Sequence, residues 1–304
     1  MPQITDDLAA VYRDVALHDR VLPVHRYRVP GTAEPVTDVE LVARTLADLN
    51  PDSRRLDVLD LGCGAGRVTY ALAPHAHAVT GVDPSPEMIT AFSRAFPDAR
   101  TLTTDAASAV RQLRSEAARF DVIGAFWSLN YPLGSFYERT TPDGVETVAD
   151  LPAADRAARR FVDDLVDLLA PGGHLLVLYF DSESPEQRLV TRMWERLAAF
   201  PGTGRAHTRA VLTDRLHAAE EAGRGRLTAL RLPGTVRAAD AEAARAWMTD
   251  YHLAGHPQLR DDRKVGDAVD AFVAQHTVAP SGEVVIPSGV HLLHFRATDT
   301  GDPR

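Results

Sequence analysis

Gly62, Gly64 and Gly66 stand at alternate positions directly after the apolar run Val58-Leu-Asp-Leu, a pattern suited to holding a ligand. A buried strand that runs into a glycine turn and opens a helix lets a ligand approach the backbone closely and meet free N–H groups. A dinucleotide fingerprint needs its third glycine one position later, where Arg67 stands, so a pyrophosphate cofactor is disfavoured, and no Walker loop occurs. The second chemical signal is the stretch Trp127-Ser-Leu-Asn-Tyr131-Pro-Leu-Gly-Ser-Phe-Tyr137-Glu138, rich in aromatic and hydrogen-bonding groups of the kind that line a small-molecule pocket. Candidates for a general base are Tyr179 and Asp181 after a later apolar run, Glu138, and histidines such as His252, with no one of them singled out.

The elements that must position these residues alternate. Strands are expected at 57–61, 77–82, 100–103, 120–126 and 174–180, with helices after Gly66 and Pro86 and at 106–118 and 153–169. Such alternation implies right-handed crossovers and a parallel sheet covered on both faces. Beyond Tyr179 the rhythm loosens into helices at about 184–199, 209–222, 238–253 and 264–276 and strands near 226–232 and 289–297. Upstream, Leu8, Val11, Tyr12 and Val15 are at helical spacing. Thr37-Asp-Val-Glu40 forms a capping box before Leu41, Val42, Leu46 and Leu49, so two helices are expected ahead of the first strand. The expected fold is α/β: a Rossmann-like, seven-stranded, mostly parallel sheet with helices on both faces and a helical lid. The division is an N-terminal lid segment at 1–55, a core at 56–182, the rest of the sheet with lid insertions at 183–298, and a frayed tail at 299–304. The segments 1–36, 128–150, 183–207 and 238–282 exceed what a bare sheet requires and are the expected lid.

Composition narrows the partners. A net charge of -9 would repel a long phosphate backbone, which disfavours nucleic acid. No stretch reaches the roughly 20 apolar residues needed to cross a bilayer, and the acidic start lacks a signal pattern, so a cytoplasmic protein without a membrane partner is expected. The single cysteine, Cys63, excludes an intrachain disulfide and a cysteine-rich zinc site, and it reads as a small filler of the turn rather than a nucleophile. Metal is not expected: Gly255 and Pro257 interrupt any helix aligning His252 with His256, and His291 and His294 fall on opposite faces of a strand. A monomer and a homodimer are both open.

The run Val58-Leu-Asp-Leu-Gly-Cys-Gly-Ala-Gly66 resembles the first motif of the class I S-adenosylmethionine (SAM)-dependent methyltransferases, of the small-molecule type. Four further elements follow in the family's order: Val79-Thr-Gly-Val-Asp83 with Pro84-Ser-Pro-Glu-Met88, Thr104-Asp105-Ala106, Phe120 to Ser128, and Leu169-Ala-Pro-Gly-Gly-His-Leu-Leu-Val177. The resemblance implies SAM as cofactor. It gives Asp83 the two ribose hydroxyls, Met88 the adenine face, and Asp105 and the Ala106 N–H the adenine edge. Asp60 and the Gly62, Cys63 and Gly64 backbone take the methionine end. For Asp60 a cap of the turn is an equal reading, and Arg67 is either a partner of the methionine carboxylate or a solvated helix residue. Pro84 and Trp127 complete the implied cofactor set, and Ser128, Asn130, Tyr131 and Tyr179 face the acceptor. Asn130-Tyr-Pro-Leu departs from the Asn/Asp-Pro-Pro-Tyr/Phe of relatives that methylate DNA or protein amides, which argues against those acceptors. The implied function is methyl transfer to nitrogen, oxygen or carbon of a small molecule, of the kind met in secondary metabolism. The alternative is attack at the methionine Cγ, transferring a 3-amino-3-carboxypropyl group or closing to azetidine-2-carboxylate, with methylthioadenosine released. A third class, a protein that only senses SAM or holds it structurally, is weighed against by the complete motif set.

Overall fold

A computed structural model describes residues 24–141, 144–196, 205–253 and 257–299. The expected helix around residues 5–20 and the expected tail beyond 299 lie outside the described residues. In chain order the elements begin with β1 (Val24–Tyr27), α1 (Asp38–Leu49), β2 (Leu56–Leu61), α2 (Thr69–Leu72), β3 (Ala76–Asp83), α3 (Pro86–Ala95), β4 (Arg100–Thr103), α4 (Ala106–Ser115) and β5 (Phe120–Phe126). After β5 come α5 (Asn130–Gly134), β6 (Glu138–Thr141), β7 (Gly144–Thr147), α6 (Leu151–Val166), β8 (Leu169–Phe180), α7 (Pro185–Trp194), α8 (Arg205–Glu221) and β9 (Gly225–Ala238). The last are α9 (Ala241–Ala246), a π-helical turn (Trp247–His252), α10 (Pro257–Arg260), α11 (Arg263–His276) and β10 (Val284–Ala297).

The sheet has eight strands, not seven, in the order β1-β9-β10-β8-β5-β2-β3-β4. Strands β8, β5, β2, β3 and β4 run parallel, while β10, β9 and β1 add antiparallel partners on one side. The extra strand is β1, inside the segment expected to be helical lid. Its four residues, Val-His-Arg-Tyr, are too few and too polar to display a strand period; they pair with residues 234–237 of β9, and Tyr27 also bridges to Val36. The segment 128–150 likewise holds a short helix and the two-stranded ribbon β6–β7 rather than helices alone.

Helices cover both faces because each presents one apolar stripe to the sheet. Leu113 of α4, Phe161 and Leu165 of α6 and Leu212 and Leu216 of α8 pack on one face, with Leu59, Ile123 and Leu175 beneath them. Leu41 and Leu46 of α1 and Leu72 of α2 cover the other, over Val58, Val122 and Leu178. A further apolar cluster joins Leu189 and Met193 of α7, Trp247 and Met248 of the π turn and Val269 and Phe272 of α11. It sits on the outer arms of β9 and β10, at Val236, Ala238, Val284 and Ile286.

Chain order reverses at the centre: β2 leads outward to β3 and β4, and the chain then returns to place β5 on the other side of β2. Ligands of open α/β sheets bind at such a switch point, beyond the carboxyl ends of the strands. The glycine turn after β2 and the Trp127 segment after β5 are the two loops that meet there.

Candidate functional site

Main-chain bonds set the glycine turn. Gly62 and Cys63 donate their N–H groups to the Val82 carbonyl at 2.8 and 3.0 Å, tying the turn to the end of β3. Gly62 takes φ +82, and a Cβ there would lie 2.3 Å from Ser128 Cβ, so glycine is required twice over. Gly64 takes φ +52, and a Cβ built there would meet nothing within 4 Å. That open side of the backbone fits a ligand lying against the turn, and SAM is a ligand of the right kind.

Asp83 closes the cradle. One carboxylate oxygen accepts from Gly64 N at 3.0 Å and the other from Ser85 N at 2.9 Å. Burial raises the carboxyl above its usual range, while these two N–H bonds pull the other way. Met88 is buried in α3, whose N-cap is Ser85. Asp105 caps α4, accepting from Ser108 N at 2.9 Å and Ser108 Oγ at 2.6 Å, with Ala106 the first residue of that helix. Pro84 and Asp105 are exposed at the rim. The Cys63 thiol is buried and pushed far up by that burial, which suits a filler and not a nucleophile.

Asp60 is buried and accepts from Thr69 Oγ1 at 2.6 Å. Burial pushes its carboxyl up to about 7, against the Thr69 bond and with help from the Asp83 charge. An unfolded Asp titrates near ~3.9, so between about pH 4 and 7 the folded chain keeps a proton that the unfolded chain has lost. Stability therefore falls as pH rises through that window, at up to about 1.4 kcal/mol per pH unit. Asp60→Asn removes this slope. In urea titrations from pH 4 to 8 the variant's stability should gain on the wild type with rising pH, and parallel profiles would disprove the raised carboxyl.

Across the switch point Trp127 adopts φ +62, an uncommon conformation for a bulky residue. Its N–H donates to the Leu178 carbonyl at 2.9 Å, and its indole Nε1 donates to Asp38 Oδ2 at 2.8 Å. Its ring meets Phe180 at 5.0 Å and Tyr27 at 6.2 Å between centroids. Asp38, at the start of α1, also holds both terminal nitrogens of Arg67, at 2.8 and 2.6 Å. Arg67 is thus partly solvated, as one reading of the sequence has it, but both terminal nitrogens of its fork are committed to Asp38. Burial disfavours the Asp38 charge, yet Arg67 and the Trp127 N–H outweigh it and hold the carboxyl below its usual range. The Thr37 capping box that starts α1 is present on both sides, at 3.2 and 2.7 Å.

Four acceptor-side residues were expected. Ser128 donates to the Leu61 carbonyl and so seats the post-β5 loop on the turn. Tyr179 and Asn130 come together through Thr208 of α8: Tyr179 donates to Thr208 Oγ1, which donates to Asn130 Oδ1 at 3.2 Å. Tyr131 is half-buried in α5. Of the candidate bases, Asp181 is ion-paired with Arg231 at 3.0 Å, and His252 is buried with its Nε2 2.8 Å from Glu186 Oε1. Burial alone pushes Glu138 up to about 7. His291 and His294 point to opposite faces: one approaches Asp181 at 3.6 Å, the other meets His174 at 2.9 Å. His256 lies outside the described residues, among which no group of three or more metal-ligating side chains occurs. Asp38, Thr69, Thr208 and Glu186 carry no sequence signal for these roles, since an acid or hydroxyl near a helix start is ordinarily a cap.

Residues 58–141 match the model of a methyltransferase-domain family. The fold is similar to that of the YcgJ protein of Bacillus subtilis, at 14% identity and a TM-score of 0.51, over 86% of this chain and 100% of that one. It is also similar to that of protein BH2331 of Bacillus halodurans C-125, at 16% identity and a TM-score of 0.50, over 84% and 99%. No curated protein matches the chain by sequence. Among the described residues no helix is long and apolar enough to cross a membrane. The glycine turn, the Asp83 bridge and the switch point all lie within or beside the stretch 58–141, so the part of the chain built to hold a ligand is the part similar to a methyltransferase domain.

Proposed function

We propose that the chain transfers a methyl group to a nitrogen, oxygen or carbon atom of a small molecule, as a cytoplasmic enzyme of secondary metabolism. The observation that carries this reading is the surface next to the cradle. Ser128 rests on the Gly62 turn, and the rings of Trp127 and Phe180 and the Asn130–Thr208–Tyr179 hydrogen bonds follow at once. The helical layer of the π turn reaches this surface through Trp247, whose ring lies 5.7 Å from that of His25, itself 6.4 Å from Trp127. A covered, ring-lined surface suits a compact acceptor, and the net charge of -9 works against a nucleic acid.

In this reading Asp83 receives the ribose hydroxyls, Met88, Asp105 and Ala106 flank the adenine, and Asp60 with the backbone of Gly62, Cys63 and Gly64 holds the methionine end. Pro84 shapes the rim and Trp127 borders the transfer path. When bound, SAM supplies a methyl group on a sulfonium whose charge is lost in the transfer. The protein's own task is mainly alignment, for which a rigid acceptor wall is the main requirement.

The test is to incubate the protein with SAM alone and then with a panel of amines, phenols and acids, and to identify the nucleoside by mass spectrometry. S-adenosylhomocysteine appearing only with an acceptor is the expected result. Methylthioadenosine formed faster than in a protein-free control would overturn methyl transfer.

A further inference from the structure

Three side chains form a row across the sheet beside the acceptor wall. Tyr179 of β8 is the register partner of His291 in β10, and His291 is that of Arg231 in β9, so all three stand on one face. Helix α8 crosses the same face. Its Thr208 meets the Tyr179 hydroxyl, and the next residue, Arg209, is half-buried with an Nε–H that is shielded from solvent and has no hydrogen-bond acceptor among the described residues. His291 Nε2 is shielded likewise, with Asp181 Oδ1 a loose 3.6 Å away.

Charge at this place is unbalanced. Asp181 is the carboxylate between these groups, and its oxygens are already engaged. One takes Arg231 Nε at 3.1 Å and Nη2 at 3.0 Å; the other accepts from Glu183 N at 3.1 Å. Burial, then the neighbouring Arg209 charge, holds His291 below its ordinary range, which leaves it neutral and able to donate one N–H. Arg231 thus takes the Asp181 carboxylate, and Arg209 makes no ion pair among the described residues. A partly buried cation without a counter-charge is unfavourable unless something else neutralises it.

We propose that Arg209, with His291 and Arg231, forms an oxyanion subsite that takes a carboxylate or phosphate of the methyl acceptor, adjoining Asn130 and Tyr179. A planar guanidinium matches either oxyanion through paired N–H bonds. The acceptor is then a small anionic molecule whose reacting atom lies on the Trp127 side while its charged end lies under α8. This rests on the small-molecule methyltransferase reading.

The experiment titrates benzoate, phenyl phosphate and benzyl alcohol into the full chain while following the histidine NMR signals, with His291 assigned by His291→Gln. A saturable His291 shift with an anion and none with the alcohol is expected, and the tighter anion names the group. Arg209→Gln should weaken that anion by about tenfold or more, the loss of one charged hydrogen-bonding group, and Arg209→Lys should restore part of it. An equal response to benzyl alcohol, no saturable shift with either anion, or an unchanged affinity in Arg209→Gln would overturn the subsite. Calorimetry with SAM on the same samples separates the two readings. A wild type that binds the anion but not SAM overturns the cofactor reading alone, and a variant that keeps SAM affinity but loses the anion supports the subsite.

Discussion

Asp83→Ala is expected to weaken SAM binding by about 1.5–3 kcal/mol, or roughly 10- to 150-fold, through lost charge-assisted hydrogen bonds. The carboxylate already accepts from Gly64 N and Ser85 N, and each oxygen keeps a second lone pair for a ribose hydroxyl. The same two bonds mean that the alanine variant also loosens the turn, costing about 1–2 kcal/mol of folding stability. Asp83→Asn is not conservative here, because its amide nitrogen would face either the Gly64 or the Ser85 N–H, donor against donor. Calorimetry for SAM beside urea unfolding distinguishes the two effects. A variant that is destabilised as expected yet binds SAM with wild-type affinity would remove Asp83 from the ribose site.

The cofactor half of the molecule was legible because its signals are local and dense. The strands at 100–103 and 120–126 have the expected bounds, and the Thr37 and Ser85 caps sit where their residue types place them. The antiparallel side was less legible for a non-local reason. Pro233-Gly234 and Pro287-Ser-Gly289 each look like the end of a strand. In the structure they lie opposite one another, Pro233 against Gly289 and Gly234 against Ser288, so the two breakers share one stretch and both strands run on to Ala238 and back to Val284. Nothing in either segment alone carries that register. The same limit hid β1, whose pairing partner lies some two hundred residues away in β9.

Residue roles follow the same division. Gly62 could be read from its motif, since a turn at φ +82 under Ser128 admits no side chain. Arg67 could not, because the carboxylate that claims it sits 29 positions earlier, in a helix start where an acid needs no further explanation. Thr208 was invisible for a similar reason: its bond to Tyr179 exists only because α8 crosses the strand ends.

Asp38→Ala is the second variant with a large expected effect. Asp38 is buried, whereas the Arg67 side chain is 43% exposed, so solvent screens part of the pair, and the loss is set nearer about 2–3 kcal/mol than the larger cost of breaking a fully buried ion pair. The substitution also frees the Trp127 indole, and a non-glycine residue at positive φ needs such outside support to persist. Asp38→Asn keeps an acceptor for that indole and should fall between the two. Its acid response differs in a defined direction. The wild-type carboxyl lies below its unfolded value, so its contribution is complete above about pH 4 and is lost as pH falls through the folded value; the asparagine variant lacks that loss. Tryptophan fluorescence, with Trp127→Phe as the reference for the one indole, should shift to the red in Asp38→Ala. If the shift appears and methyl transfer slows while SAM affinity holds, then α1 acts on the acceptor wall through Trp127 rather than on the cofactor turn through Arg67. If SAM affinity falls instead, the Arg67 arm of the same carboxylate is the one that matters, and an unshifted spectrum with full activity would leave Asp38 as a helix start and nothing more.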